Sequence, residues 1–236
     1  MKNKVIILTV AVVSVIGFLS TVNAAARSDA ALETARASLK AHGGEKFARA
    51  TSIVIRGSVE VTAPNATQVL PAAFTLVYAG EKYRFDLKSI VINFTQVSDG
   101  EMTNTTMPGI SLPPITRVGL AVLPRIEENG YIVSILPEKL RKKKGFRITS
   151  PEGYFTDFIV DEKTSLVKSY QSSYEVNGRE VSTAVEINKY RDVEGVMVNE
   201  RFSQRLDFGQ FTSYAEFKAK EITVNTTVED TVFKIK

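Results

Sequence analysis

The side chains that most often carry enzyme chemistry are nearly absent from this chain. His42 is its only histidine, and the 236 residues include no cysteine and no tryptophan. Without cysteine there is no thiolate nucleophile, disulfide, iron–sulfur cluster or zinc finger, and a single histidine excludes multi-histidine metal sites. A Ser-His-Asp triad would have to use His42. This residue falls at the C-terminal end of a predicted helix, where a partly cationic imidazole complements the helix dipole.

The carboxylates show no catalytic or metal-binding pattern either. Asp157, Asp161 and Glu162 are close in sequence, but they lack the Asp and Gly spacing of an EF-hand calcium loop. No spacing selects a carboxylate pair of the glycosidase type. The composition therefore predicts a binding protein rather than an enzyme, with no cofactor and no metal ion.

The first 24 residues have the layout of a secretory signal peptide. Lys2 and Lys4 precede an apolar run, which ends in the small-residue tripeptide Val22-Asn23-Ala24. A transmembrane anchor is the alternative, but the run is short for a hydrocarbon core of about 30 Å. We expect cleavage after Ala24, with residues 25–236 as a single domain. Cleavage removes two lysines and no acid, which lowers the formal net charge of +4 and argues against nucleic-acid binding.

One amphipathic helix is predicted at the start of the mature chain, from Asp29 to His42. Leu32, Ala35 and Leu39 recur at helical spacing, and Gly43-Gly44 supplies a left-handed stop. A short helical turn is predicted to follow over residues 45–50.

From Ser52 onward, apolar residues alternate with polar ones, which is typical of half-buried β-strands. Turn signals occur at Gly80-Glu81, at Ser98-Asp99-Gly100 and at Asn177-Gly178. The apolar phase slips between Ala219 and Ile222, which predicts a β-bulge. The predicted strands lie around residues 53–61, 74–78, 82–88, 90–94, 146–149, 154–160, 166–174, 181–187, 196–208 and 211–217. About ten antiparallel strands with no break in composition predict one sheet that curls on itself.

The stretch from Met107 to Leu136 does not fit this strand spacing. Pro108, Pro113 and Pro114 remove the donors that a central strand needs. The apolar segment from Thr116 to Leu123 predicts a short helix or a flap. It is either a lid over a cavity or a plug that closes one end of the sheet.

Seven short motifs follow one another between Ala30 and Ile235. They are the helix end AHGG, the turn and strand EKFARATSIVIRGSVEV, the strand KYRFDL, the turn VSDG, the turn DEKTSLVK, the segment KYRDVEGVMVNERF and the C-terminal ITVNTTVEDTVFKI. In order and spacing they resemble the LolA/LolB-like periplasmic lipoprotein-carrier family, and more closely its outer-membrane lipoprotein-sorting-protein group. The chain departs from the best-known carriers in lacking tryptophan and in its proline-rich segment at the position of the lid helices.

The resemblance implies a mainly β (α+β) fold. We expect a curved, unclosed antiparallel half-barrel of about ten strands, with an N-terminal helix and a lid segment over the concave face. The enclosed apolar cavity would shield acyl chains in transit through the periplasm. An inner-membrane donor complex and an outer-membrane receptor are the further partners that it implies. Arg84 matches a family arginine that ties strand to lid. The absence of cysteine excludes the lipid-anchored receptor branch.

The same interpretation predicts which side chains would line the cavity, although each of them could instead belong to the core. From the strands these are Ile53, Ile55, Phe74, Leu76, Tyr78, Tyr83, Phe85, Ile90, Ile92 and Phe94, and from the lid Ile110, Leu112, Ile115 and Leu120.

A compact basic run completes the candidate surfaces. Arg141, Lys142, Lys143 and Lys144 form a patch suited to anionic lipid headgroups or an acidic partner, or else a solvated loop. The sequence thus predicts a monomeric periplasmic binding protein for lipid or an acylated lipoprotein. The alternative is an envelope sensor or scaffold that binds a protein partner through the same half-barrel and has no ligand cavity.

Overall fold

Twelve strands and two α-helices build the part of the protein that the structure describes. The computed structural model describes residues 29–62, 69–91, 93–106, 114–176, 179–207 and 212–234. Helix α1 covers residues 29–41 and helix α2 covers Glu45–Ala48. The strands are β1 (Ile53–Thr62), β2 (Leu70–Ala79), β3 (Lys82–Lys88), β4 (Asn93–Ser98), β5 (Thr103–Thr105), β6 (Ile132–Ser134), β7 (Gly145–Thr149), β8 (Phe155–Val160), β9 (Val167–Val176), β10 (Arg179–Val193), β11 (Val196–Asp207) and β12 (Thr212–Val224).

All twelve strands belong to one antiparallel sheet. Its order is β5-β4-β3-β2-β1-β12-β11-β10-β9-β8-β7-β6, so the pairing of β1 with β12 joins the two halves of the chain. Strands β5 and β6 lie at opposite edges and leave the sheet unclosed. The predicted curved half-barrel is confirmed. The two strands beyond the predicted ten are β5 and β6, and three residues are too few to show an alternating pattern.

The predicted helix is confirmed and ends close to the expected residue. Gly43 and Gly44 both have positive φ, at 118° and 56°, a conformation that glycine adopts without steric strain. The Gly44 amide donates to the Leu39 carbonyl at 2.9 Å and closes the helix end.

The register of the strands confirms the predicted bulge. Arg56 pairs with Glu221 and Gly57 pairs with Ala219, so Lys220 is the extra residue. The turns at Gly80-Glu81 and at 99–102 also connect the strands as predicted. Asn177-Gly178 lies outside the described residues.

The predicted strand around residues 90–94 is wrong in its first half. Strand β3 ends at Lys88 and β4 begins at Asn93, so Ile90 belongs to the connection between them. The Ile90 side chain is fully exposed, whereas Phe94 is partly buried. The apolar alternation in the sequence therefore includes one residue of a connection, Ile90, and one residue of a strand, Phe94.

The main core lies on one face of the sheet, here called the inner face. Ala31 and Ala35 of α1, Phe47 of α2, and Val122 and Leu123 pack there against the strands. Three phenylalanine rings lie at its centre: Phe202 stacks on Phe217 at 4.6 Å between ring centroids, and Phe74 meets Phe217 edge-on at 5.1 Å.

The described part of the predicted lid forms two 3-10 turns, Ile115–Arg117 and Gly119–Arg125. Val122 and Leu123 are almost completely buried in the core. Residues 114–125 therefore act as a plug, which was one of the two predicted roles. Residues 107–113 lie outside the described part of the chain.

A smaller core occupies the opposite, outer face. Val54, Val77 and Val97 are covered by Phe233, which belongs to the C-terminal 3-10 turn Asp230–Phe233. This cover was not predicted from the sequence.

Candidate ligand-binding face

The inner face of the half-barrel carries no charged side chain at the positions that the regular strand registers assign to it. Residues that pair across neighbouring strands point to the same face, so the regular registers identify inward positions on most of the strands. On β1 to β5 the inward residues are Ile53, Ile55, Gly57, Val59, Val61, Leu70, Ala72, Phe74, Leu76, Tyr78, Tyr83, Phe85, Leu87, Phe94, Gln96, Ser98, Thr103 and Thr105. On β7 to β12 they are Phe146, Ile148, Thr156, Phe158, Tyr170, Ser172, Tyr174, Val181, Thr183, Val185, Ile187, Phe202, Gln204, Leu206, Ser213, Ala215, Phe217, Ala219, Ile222 and Val224.

The outer face of the same strands is rich in charge. Arg56 pairs with Glu221 at 3.2 Å, and Arg147 pairs with Asp157 at 2.6 Å. The Arg56–Glu221 pair is exposed and stabilises the fold only slightly, because water already solvates both partners, whereas Asp157 is buried beneath Arg147. At the positions with regular register, the charged side chains of these strands lie on the outer face.

The inward side chains of the inner face are buried to different degrees along the strands. Near α1 and α2 the inward side chains are buried, as Ile55 is. At the other end of the sheet, Val61, Leu70, Leu87 and Phe94 remain partly accessible. These four side chains, together with Leu206, lie close to strand ends and are called here the accessible end. A ligand that enters the half-barrel would meet them among the described residues.

The structure brings most of the predicted lining residues together on the inner face. Ile55, Phe74 and Tyr83 are buried. The partly buried ones are Ile53, Leu76, Tyr78, Phe85, Phe94, Ile115 and Leu120. The prediction that Ile90 lines the cavity is wrong, because its side chain is exposed to solvent in the connection between β3 and β4. Ile92, Ile110 and Leu112 lie outside the described residues.

The opposite wall of the half-barrel was missed. Phe158, Tyr170, Tyr174 and Phe202 face inward from β8, β9 and β11. Their period-two alternation was visible in the sequence, but the alternation alone does not say which strands lie opposite β2 and β3. The pairing of β1 with β12 brings the two walls into one sheet.

Arg84 does not tie the strand to the plug. Its guanidinium lies on the outer face, where it pairs with both carboxylate oxygens of Asp86 at 2.7 and 3.0 Å. It also donates to the Val232 carbonyl at 3.0 Å. The alternation of β3 places Arg84 and Asp86 on the same side of the sheet, away from residues 114–125. Arg84 therefore fastens the C-terminal segment, which corrects the predicted contact.

Other arginines fasten the plug. Arg117 contacts Glu81 at 3.1 Å and Glu152 at 3.3 Å, and Arg125 also pairs with Glu81. The Tyr131 hydroxyl accepts from Arg117 at 2.9 Å. These contacts link the plug to the turn between β2 and β3 and to the turn between β7 and β8.

His42 is a buried residue rather than an exposed helix-end cation. It is completely inaccessible, and burial lowers the pKa of its imidazole, against the opposing effect of the hydrogen bond to Ser38. Nδ1 lies 2.8 Å from the Ser38 carbonyl, and Nε2 lies 3.1 Å from the Tyr190 hydroxyl. The expectation of a partly cationic imidazole is wrong, because desolvation disfavours the charged form.

The basic run is exposed in the loop before β7, at residues 141–144. Lys143 also borders a groove of about 360 Å³ on the outer face, together with Leu140, Asp157, Arg205 and Tyr214. The groove carries side chains of both signs, so its chemistry differs from that of the inner face.

The described residues contain no cluster of three or more His, Cys, Asp or Glu side chains suited to a metal ion. Within the same residues, no helix has the length and apolar character needed to cross a membrane.

Comparisons with solved structures define the class of fold. The chain is similar to a LolA superfamily protein from Nitrosomonas europaea, with a TM-score of 0.54, 12% identity, and coverage of 85% of this chain and 97% of that one. It is also similar to a DUF1329 family protein from Desulfovibrio piger, with a TM-score of 0.54 and 10% identity. That match covers 88% of this chain and 97% of the other. A third similar structure is a domain from Vibrio parahaemolyticus, assigned as an outer membrane lipoprotein-sorting protein, with a TM-score of 0.51 and 12% identity. That match covers 87% of this chain and 97% of the other. No family model and no curated protein matches the sequence.

The protein therefore has the LolA-like fold that the sequence resemblance predicted. At these identities, the comparisons show the fold alone.

Proposed function

We propose that this protein is a periplasmic carrier or binding protein for lipoprotein acyl chains or another lipid-like apolar ligand. The observation that carries the proposal is the inner face, which bears no charged side chain at the regularly paired positions and whose apolar side chains stay partly accessible at the accessible end. Burial of an acyl chain against such a surface contributes about 0.8 kcal/mol per methylene, so binding needs no ionic contact.

The fold and the N-terminus support the same function. Two of the similar structures are named for the LolA superfamily and for lipoprotein sorting. The predicted signal peptide, Met1 to Ala24, would deliver the chain across the inner membrane, and the fold resemblance then favours the periplasm.

The basic run supplies a second surface for the proposed transfer. Arg141, Lys142, Lys143 and Lys144 are all exposed and lie outside the inner face. A cluster of this size is attracted to anionic headgroups by about 1 kcal/mol for each basic side chain near the membrane surface. It would hold the carrier at a membrane while acyl chains move in or out of the half-barrel.

One observation favours the second candidate function, an envelope sensor or scaffold without a ligand. Val122 and Leu123 of the plug fill part of the inner face with the protein's own side chains. If the rest of the inner face is filled in the same way, the half-barrel would bind a protein partner through another surface.

The two candidates differ in what purifies with the protein. The mature chain is purified without detergent from its host envelope and examined by native mass spectrometry, followed by lipid extraction. The carrier is expected to retain lipid or acylated peptide. Phe94→Asp places a charge at the accessible end and should abolish retention. Tyr214→Asp makes a similar change on the outer face, where Tyr214 is 53% exposed, and should retain the ligand.

Thermal unfolding of both variants separates loss of ligand from loss of fold. A protein that purifies without ligand, and stays so when lipid is offered, would refute the carrier function and favour the sensor or scaffold.

A further inference from the structure

A groove crosses the outer face of the sheet, on the opposite side from the inner face. It has a volume of about 360 Å³ and extends over the strands from β8 to β12. Neighbouring strands lie about 4.8 Å apart, so the groove is about 19 Å long. Leu140 and Lys143 border its β8 end, because the loop that carries them leads into the pairing of Gly145 with Ile159. This feature is called here the outer groove.

Two rows of outward side chains form the walls of the outer groove. Within each row the residues pair across neighbouring strands, so the rows run across the strands rather than along them. One row consists of Asp157, Gln171, Ala184, Arg205 and Tyr214, and the other of Ile159, Ser169, Glu186, Ser203 and Glu216.

Small side chains give the outer groove its depth. Ser169, Ala184 and Ser203 lie on three successive strands, and none of them extends more than one heavy atom beyond Cβ. The residues between the two rows, such as Val185, point to the inner face, so main chain forms the floor. The peptide groups of these central strands are already paired within the sheet. An occupant is therefore recognised by the side chains of the walls.

The width of the outer groove selects an extended chain. The two rows are two residues apart along each strand, which corresponds to about 7 Å. An α-helix with its side chains is about 10–12 Å wide and does not fit between them. A single extended polypeptide does.

Three charged groups of the outer groove make no ion pair with another described residue. They are Lys143 at the β8 end, Glu186 on β10 and Glu216 on β12, and all three are exposed. Successive members of this series lie two strand spacings apart, so the charges follow one another at intervals of about 10 Å. The groove thus presents one positive and then two negative groups along its length.

The other charged side chains of the walls are already neutralised. Asp157 is buried beneath Arg147, which it contacts at 2.6 Å. Arg205 contacts Asp207 at 2.7 Å. An occupant therefore meets the charges of Lys143 and of the two glutamates.

The β12 end is suited to a cationic side chain. Glu60 lies directly opposite Glu216 across β1 and β12, and like charges in opposed positions destabilise a sheet. Tyr214 lies two residues from Glu216 on the same face, and its exposed ring can contact a cation. A lysine or arginine of an occupant would relieve the repulsion and pack on the ring.

We propose that the outer groove binds an extended segment of a partner protein that carries one acidic and two basic residues at intervals of three residues, with the acidic residue at one end of the series. In the polyproline II conformation three residues span about 9 Å and bring the side chain back to the same face. This repeat matches the interval between the charges of the groove. The proposal goes beyond lipid binding and does not depend on it, because the outer groove and the inner face lie on opposite sides of the sheet.

The probe is the peptide Ac-EPAKPAK-NH2. Because the groove fixes the spacing of the charges but not the chain direction, the reversed peptide Ac-KAPKAPE-NH2 is measured as well. Binding to the 15N-labelled mature protein is followed by NMR at low ionic strength, where exposed charges are least screened. The amides of Ser169, Ala184 and Ser203 should shift, because they lie in the outer groove.

An isomer of the probe tests the order of the charges. Ac-KPAEPAK-NH2 has the same composition and net charge, but its acidic residue is central and would face Glu186. It should bind at least about 5-fold more weakly than the better of the two probes, because one attractive contact is lost and two repulsive ones are formed.

Variants of Glu186 locate the recognition. Glu186→Gln should weaken binding of the better probe by about 3-fold, and Glu186→Lys should reverse the preference in favour of the isomer. Glu180→Gln is the matched control, because Glu180 is an exposed glutamate on the same strand and the same face but does not line the groove. It should leave both affinities unchanged.

The outcomes decide the proposal. If neither probe shifts the amides of the outer groove, or if the shifts occur only elsewhere on the protein, the proposal is overturned. Equal affinity for the better probe and its isomer would show that the groove does not recognise the order of the charges, and would also overturn it. Should Glu186→Lys lose cooperative unfolding, the comparison rests on Glu186→Gln, and an affinity equal to that of wild type contradicts the proposal.

Discussion

Acidification from pH 7.5 to 5.5 should destabilise this protein through His42. The imidazole is completely buried, and burial lowers its pKa below the ordinary 6.5. The groups that face it are the Ser38 carbonyl, the Phe47 ring and the Tyr190 hydroxyl, none of which is a carboxylate. The unfolded chain therefore binds a proton near pH 6.5 that the folded chain resists.

The sign and size of this change in the free energy of unfolding follow from proton linkage. Because the unfolded state binds more protons, the stabilising contribution is fully present above pH 6.5 and is lost as pH falls. If the folded imidazole stays neutral, the free energy of unfolding falls by about 1.4 kcal/mol between pH 7.5 and 5.5. For a domain of this size that corresponds to about 3–6 °C in melting temperature.

The hydrogen-bond geometry competes with burial. The Ser38 carbonyl can only accept, so it places a proton on Nδ1 of His42. The single Tyr190 proton must then serve both Nε2 and the Val167 carbonyl. A doubly protonated imidazole would satisfy all three contacts. Desolvation of the charged imidazole is expected to outweigh this gain.

Urea unfolding of the mature protein at pH 7.5, 6.5 and 5.5 measures the effect. His42→Gln is the control, because it removes the only histidine and leaves every other titrating group in place. The wild type should lose stability on acidification relative to the variant. A wild type that gains stability on acidification would show that the hydrogen bonds hold the folded pKa above 6.5, and would refute the argument from burial.

Three further predictions test other parts of the fold. Phe233→Ala should lower the free energy of unfolding by about 3 kcal/mol, because Phe233 is only 4% exposed in the core of the outer face. Chemical denaturation measures this change, and a loss below about 1 kcal/mol would contradict the packing. Gly57→Ala should lower the free energy of unfolding by about 1–3 kcal/mol, because the added side-chain carbon would collide with the Lys218 carbonyl and lie 2.8 Å from the Phe74 ring. An unchanged free energy of unfolding in the same assay would refute this close approach. Replacing all four residues of Arg141–Lys144 with Gln should weaken sedimentation with phosphatidylglycerol vesicles and leave melting unchanged; undiminished binding would exclude this surface.

Local patterns in the sequence predicted the strands and the bulge well. Strand β3 shows why: Tyr83, Phe85 and Leu87 alternate with charged residues, and the alternation itself states that one face is buried. The slip between Ala219 and Ile222 similarly marks Lys220, because an extra residue must shift the pattern by one position.

Contacts between distant parts of the chain could not be predicted in this way. Arg84 is tied to Val232, 148 residues away, and its alternation with Phe85 fixes its face but not its partner. Ile90 continued the apolar pattern although it lies in a turn. Tyr78 and Tyr170 lie in the two halves of the sheet, which only the pairing of β1 with β12 joins.

The distribution of apolar side chains itself argues for a ligand. A sheet that needs only a core can carry polar residues wherever its surface meets water. On the outer face the chain follows this rule, since apolar residues such as Val77 and Val97 occur beneath the cover of Phe233 and charges occur around them. On the inner face Leu87 and Phe94 stay apolar although they are partly accessible. The apolar ligand proposed above would bury these side chains when it occupies the half-barrel.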